Sequence, residues 1–126
     1  MTFGNLSYKI YPSASYDDAK SQCESDGSYL AIPRSEAEND FIASLIPNEN
    51  IWIGINDIEQ EGSFVGVDGS EISWTNWYFD QPDNYNDQDG VLLSSNTGEG
   101  RWHDNHVSDQ FRFVCSIYIE GITFLV

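Results

Sequence analysis

The only two cysteines, Cys23 and Cys115, lie near opposite ends of a 126-residue chain. No Cys-x-x-C pair is present, so a zinc or redox motif is unsupported. An even pair in a small acidic chain fits one disulfide made in an oxidising compartment. Such a bond closes a loop of roughly 90 residues and stabilises by on the order of 4–5 kcal/mol if unstrained. It also demands that the segment around Cys23 pack against the segment around Cys115.

Local patterning says what those segments are. Leu6-Ser7-Tyr8-Lys9-Ile10-Tyr11 alternates and predicts a strand. Ser15 is placed as an N-cap for a helix over Tyr16 to Glu24, which Asp26-Gly27 stops. Ser35-Glu36-Ala37-Glu38 has the form of a capping box, opening a second helix through about Leu45, with Phe41, Ile42 and Leu45 on its apolar side. Strands are expected at Ile51-Trp52-Ile53-Gly54-Ile55, Val91 to Ser94, Gly100 to Asp104 and Phe111 to Ser116. Val67-Asp68-Gly69-Ser70 predicts a hairpin turn with Phe64-Val65 and Ile72-Ser73-Trp74 as arms. Helices first and short strands afterwards make an α+β arrangement, in which a Cys23–Cys115 bond would lock the first helix onto the sheet.

Charge narrows the partners. Five Lys and Arg stand against 21 Asp and Glu, a formal net charge of −16. A phosphate backbone wants a basic surface, so nucleic acid is excluded, and an anionic membrane is disfavoured for the same reason. No run long enough to insert in a membrane is visible. The acid excess either keeps the chain soluble by self-repulsion or gathers carboxylates around a hard cation such as Ca²⁺.

Tyr78 to Gly90 has no period and is crowded with Asp, Asn, Gln and Pro. A loop of this length in a compact domain needs a functional reason. Its segment Gln81-Pro82-Asp83-Asn84-Tyr85-Asn86-Asp87-Gln88-Asp89 is the richest cluster of oxygen donors in the chain, and amide and carboxylate oxygens are what calcium prefers. Further on, Trp102-His103-Asp104 sets another carboxylate beside a large aromatic ring.

Trp52-Ile53-Gly54-Ile55, Gln81-Pro82-Asp83 and Trp102-His103-Asp104 resemble the Trp-Ile-Gly-Leu, Gln-Pro-Asp and Trp-Asn-Asp signatures of C-type lectin domains, in that family's order and spacing. Cys23 and Cys115 match the family's outer disulfide. The resemblance runs from about Leu6 to Ile117, so residues 1–126 are expected to be one such domain. It implies a double-loop α+β fold with two helices, two small antiparallel sheets and a long irregular loop that binds calcium and sugar.

The resemblance also implies roles. Gln81, Asp83 and Asp104 would hold the sugar-site Ca²⁺ and hydrogen-bond the same sugar hydroxyls that the ion coordinates. Gln-Pro-Asp is the variant associated with galactose-type sugars, as against Glu-Pro-Asn for mannose-type. Tyr85 would stack on the sugar's apolar face. Asp57, Glu61 and Asp89 would hold an auxiliary Ca²⁺ beside the same loop.

Three positions depart from the family pattern. His103 stands where an Asn ligand is expected. An imidazole suits a hard cation poorly, so His103 either turns away and leaves water on the ion, or hydrogen-bonds the sugar. The bridging Glu is absent, and Asp87 or Gln88 takes its place, Asp87 being the charged choice. The inner disulfide is missing, its positions falling at Gly90 and Val107, which leaves the long loop unstapled.

The function expected is therefore calcium-dependent binding of galactose or N-acetylgalactosamine glycans by a secreted, extracellular lectin. The alternatives are a lectin-like module that binds a protein or another surface, and a calcium-independent lectin using the same loop. An enzyme is not expected: the carboxylates lie in a polar loop rather than an apolar pocket, and no Gly-x-Ser-x-Gly elbow or phosphate loop occurs. His103 and His106 with scattered Asp are too unspecific a pattern for zinc. Trp52, Trp74 and Trp102 are assigned to the core. Tyr118 to Val126 is apolar and lies past the family's usual end, either as an added edge strand or as a contact between copies of a homo-oligomer, which would multiply the avidity of weak single sugar sites.

Overall fold

A computed structural model describes residues 1–79, 81, 89–97 and 99–119. Among the described residues ten elements follow one another: β1 (Thr2–Phe3), β2 (Leu6–Ala14), α1 (Tyr16–Ser25), β3 (Tyr29–Leu30), α2 (Glu36–Leu45), β4 (Asn50–Asn56), β5 (Val65–Gly66), β6 (Gly90–Ser94), β7 (Arg101–Asn105) and β8 (Phe111–Tyr118), with a short 3₁₀ turn at Ser95–Thr97. This is the expected α+β arrangement, with both helices in the first half of the chain.

Both helices begin where a serine caps them. Ser15 Oγ accepts from Asp18 N at 3.3 Å, and Ser35 Oγ accepts from Glu38 N at 3.2 Å. Only the serine half of the expected capping box is made, because Glu38 Oε2 is buried and accepts no hydrogen bond. Burial accordingly raises the Glu38 carboxyl above its ordinary pKa, with the nearby Arg34 charge opposing the rise.

The strands run in the order β1-β2-β8-β4-β6-β7, with β3 against β8 and β5 against β4. All ladders are antiparallel except β4 with β8, which meet in parallel at Ile51↔Arg112 and Trp52↔Phe113. That contact joins the two expected antiparallel groups into one mixed sheet. The predicted hairpin keeps its turn, with Gly66 N bonded to Ser70 O, but its second arm shrinks to a single bridge, Val65↔Glu71.

β4 is buried along nearly its whole length, as its unbroken apolar run requires. Ile51, Ile53 and Ile55 face one cluster with Ile42, Leu93 and Trp102; Trp52 faces the other with Tyr16, Leu30 and Phe113. Gly54 is needed because β4 presses on the backbone before α2. A Cβ there would lie 2.3 Å from Leu30 O, while Gly54 N donates to Ala31 O at 2.7 Å. The Cys23–Cys115 disulfide crosses from α1 to β8 inside the second cluster.

Where the inner disulfide would stand, packing takes over. A Cβ on Gly90 would approach the Trp52 and Tyr16 rings at 2.9 and 3.0 Å. Val107 packs against the same cluster, and its carbonyl accepts from Tyr16 N. Trp74 and Trp77 both lie edge-on against the buried Trp102 ring. The apolar tail beyond Ile119 lies outside the described residues, but β8 pairs with β2 as far as Leu6↔Tyr118, and Ile119 N donates to Asn5 O. No helix among the described residues is long and apolar enough to cross a membrane.

Candidate functional site

Register gathers the acidic positions at one end of the sheet. Asn56 of β4 pairs with Gly90 of β6, and Gly90 with Asn105 of β7. Asp57 leaves β4, Asp89 enters β6 and Asp104 sits next to the end of β7, so three carboxylates distant in sequence emerge on neighbouring strands. Asp57 N also donates to Asp89 O at 3.2 Å, tying the two strand ends together.

Asp57, Glu61 and Asp89 form a closed group. One oxygen from each lies within 4.8 Å of the others. Asp57 is buried, and its Oδ2 accepts from Gly62 N at 2.8 Å. Asp57 Oδ1 and Asp89 Oδ1 are buried without a hydrogen bond. Three acids around orphaned oxygens fit a hard cation, which takes oxygen ligands and cancels their repulsion. Without one, Asp57 and Asp89 resist ionisation. Burial pushes the Asp89 carboxyl up to about 7, with the Glu61 and Asp57 carboxyls adding to the rise. Burial raises Asp57 too, against the opposing hydrogen bond from Gly62.

A second group assembles on β7. Trp102 N donates to Asn76 O and Tyr78 N to Trp102 O, each at 2.8 Å, so the stretch before the long loop is zipped along the strand. A turn follows, closed by Gln81 N donating to Tyr78 O at 2.9 Å. It delivers Gln81 to the strand, where its Oε1 accepts from Asp104 N at 3.3 Å. Gln81 and Asp104, 23 residues apart, are thus in contact. Asp104 is buried on the same side of β7 as Trp102; His103 is half-buried between them. Asp83, Tyr85 and Asp87 lie outside the described residues.

Two features were missed in the sequence. The Gly62 N–H that holds Asp57 depends on a left-handed backbone at Gly62, φ 81°, which the turn-rich Glu59 to Ser63 stretch signals only loosely. The second is the exposure of Tyr78 and Phe79 at the start of the loop, beside β7, where Tyr78 N is bonded to Trp102 O; nothing in the sequence marks it.

The fold is that of a C-type lectin domain. The Lectin C-type domain family matches residues 12–117, and the chain belongs to it. It is 33% identical to Lectin BRA-3 of Megabalanus rosa, over 94% of this chain and 80% of that protein. It is 34% identical to the alpha-N-acetylgalactosamine-specific lectin of Patiria pectinifera, over 81% of this chain and 67% of that protein. The crystal structure of C-type lectin CEL-I from Cucumaria echinata superposes with a TM-score of 0.87 at 28% identity, covering 94% of both chains. Domains of this family bind carbohydrate, generally bind Ca²⁺ and are generally not enzymes.

Proposed function

We propose that the domain is a calcium-dependent lectin for galactose or N-acetylgalactosamine, acting outside the cell. The observation that carries the reading is the contact between Gln81 and Asp104 beside the Asp57, Glu61 and Asp89 group. Two oxygen-rich clusters then share one end of the sheet. The name of the Patiria pectinifera relative supports the sugar class.

In this reading Asp57, Glu61 and Asp89 hold an auxiliary Ca²⁺. Gln81, Asp83, Asp87 and Asp104 hold the sugar-site ion, with His103 reaching either the ion or the sugar. Calcium, when bound, would supply a positive centre for sugar hydroxyls. The protein's own part is orientation. The turn closed by Gln81 N fixes where the Gln81 amide stands, and a side-chain amide offers donors as well as an acceptor to a hydroxyl. Asp83 accepts from the sugar, and Tyr85 stacks on its apolar face.

The choice of Gln and Asp over Glu and Asn is the specificity element. Exchanging both, Gln81→Glu with Asp83→Asn, reverses which partner carries the charge. Competition binding with galactose and mannose should move the preference from galactose towards mannose. An unchanged galactose preference in the double variant would remove these two residues from the sugar site.

A further inference from the structure

Phe79 is 82% exposed and Tyr78 53%, large aromatic surfaces to leave in water. The segment that carries them is anchored. Trp77 bridges to Trp102 in parallel, and its ring lies edge-on against both Trp102 and Phe64. Tyr78 is held from both sides, its N–H donating to Trp102 O and its O accepting from Gln81 N. The rings are therefore presented beside an anchored backbone, Phe79 following directly on Tyr78.

Trp77, Tyr78, Phe79, Glu99 and Arg101 line one open hollow. Its polar side is also fixed. Arg101 Nε and Nη2 both reach Glu99 Oε2 at 2.8 Å, and Nη1 donates to Asn76 Oδ1 at 3.2 Å. The guanidinium is thus already neutralised, on a chain of net charge −16, so an anionic ligand gains little here. A purely apolar ligand would have to strip water from the ion pair. A neutral pyranose suits both sides: its C–H face covers a ring, and its hydroxyls meet a carboxylate and a guanidinium edge.

The hollow is also in reach of the sugar site. Arg101 and His103 take successive half-buried positions on β7, which places them about 7 Å apart along the strand. The same turn that presents Phe79 ends in Gln81, which touches Asp104.

We propose that Tyr78, Phe79 and Arg101 form a second saccharide subsite, taking the neutral sugar next to the one held at Gln81 and Asp104. The proposal rests on the lectin reading above. Oligosaccharides then bind more tightly than the terminal sugar alone, by roughly three- to tenfold for one aromatic contact of this kind.

The test is calorimetric titration, in calcium, of galactose, lactose and a panel of longer galactose-terminated oligosaccharides into wild type, Phe79→Ala and Phe79→Tyr. At least one oligosaccharide should outbind galactose severalfold. Phe79→Ala should erase that gain with galactose affinity within about twofold of wild type, and Phe79→Tyr should restore it. The proposal is overturned if no oligosaccharide exceeds galactose, or if the gain survives Phe79→Ala. Phe79-dependent oligosaccharide binding without measurable galactose binding would sink the galactose reading and keep the subsite. Absence of any glycan binding would sink both.

Discussion

Asp89 is held where a lone carboxylate is costly: half-buried, its Oδ1 enclosed, with Glu61 and Asp57 close by. Its pKa of about 7 is a stability statement with a definite sign. Between the ordinary carboxylate value near 3.9 and about 7, the folded chain keeps a proton that the unfolded chain has lost. The stability this group contributes is complete at the low end of that window and is lost as pH rises through about 7. Asp57 acts in the same direction. In EDTA, the melting temperature should therefore fall between pH 5 and pH 8, and Asp89→Asn should flatten the fall. Calcium should reverse it at pH 7.5, adding about 2.7 kcal/mol at a hundredfold excess over its Kd, and should do little near pH 5. Melting curves that stay flat in EDTA would contradict this account. These residues were legible because they sit in motifs of fixed spacing. The Gly62 N–H was not, since a main-chain donor leaves no mark in a sequence beyond the glycine that permits its turn.

The elements were legible wherever a local signal was strong. Ser15 and Ser35 announce both helices, and the Ile51 to Ile55 run announces the buried strand. The second arm of the 67–70 hairpin is reduced to the Val65↔Glu71 bridge, although Ile72 and Trp74 still pack on the core cluster. Gly54 shows how an element is positioned by what it lacks. A methyl group at that position meets main chain at Leu30 and the Ile32 side chain at 2.9 Å. Neither β4 nor the segment it presses on can yield cheaply. Gly54→Ala should cost about 1–3 kcal/mol in chemical denaturation, at the upper end because backbone is the obstacle. A loss below about 0.5 kcal/mol would show that the segment can shift.

At the scale of the molecule, the Cys23–Cys115 bond and the parallel β4–β8 contact do related work, closing the end of the chain onto its beginning and middle. The bond was expected from two cysteines and a resemblance. The parallel contact was not, because pairing between Ile51 and Arg112 depends on how the whole chain returns. Replacing both cysteines with serine should lower stability by about 2–5 kcal/mol by chemical denaturation, and a loss near zero would mean that the sheet alone closes the fold. The fold brings the end of β4, the start of β6 and the end of β7 side by side, which is why Asp57 and Asp89 meet and Asp104 lies on the next strand. Whether that meeting serves sugar binding is decided most directly by calorimetric titration of galactose into the protein, once in calcium and once in EDTA. The account predicts heat of binding in calcium and none in EDTA; equal heat in both, or none in either, would contradict it.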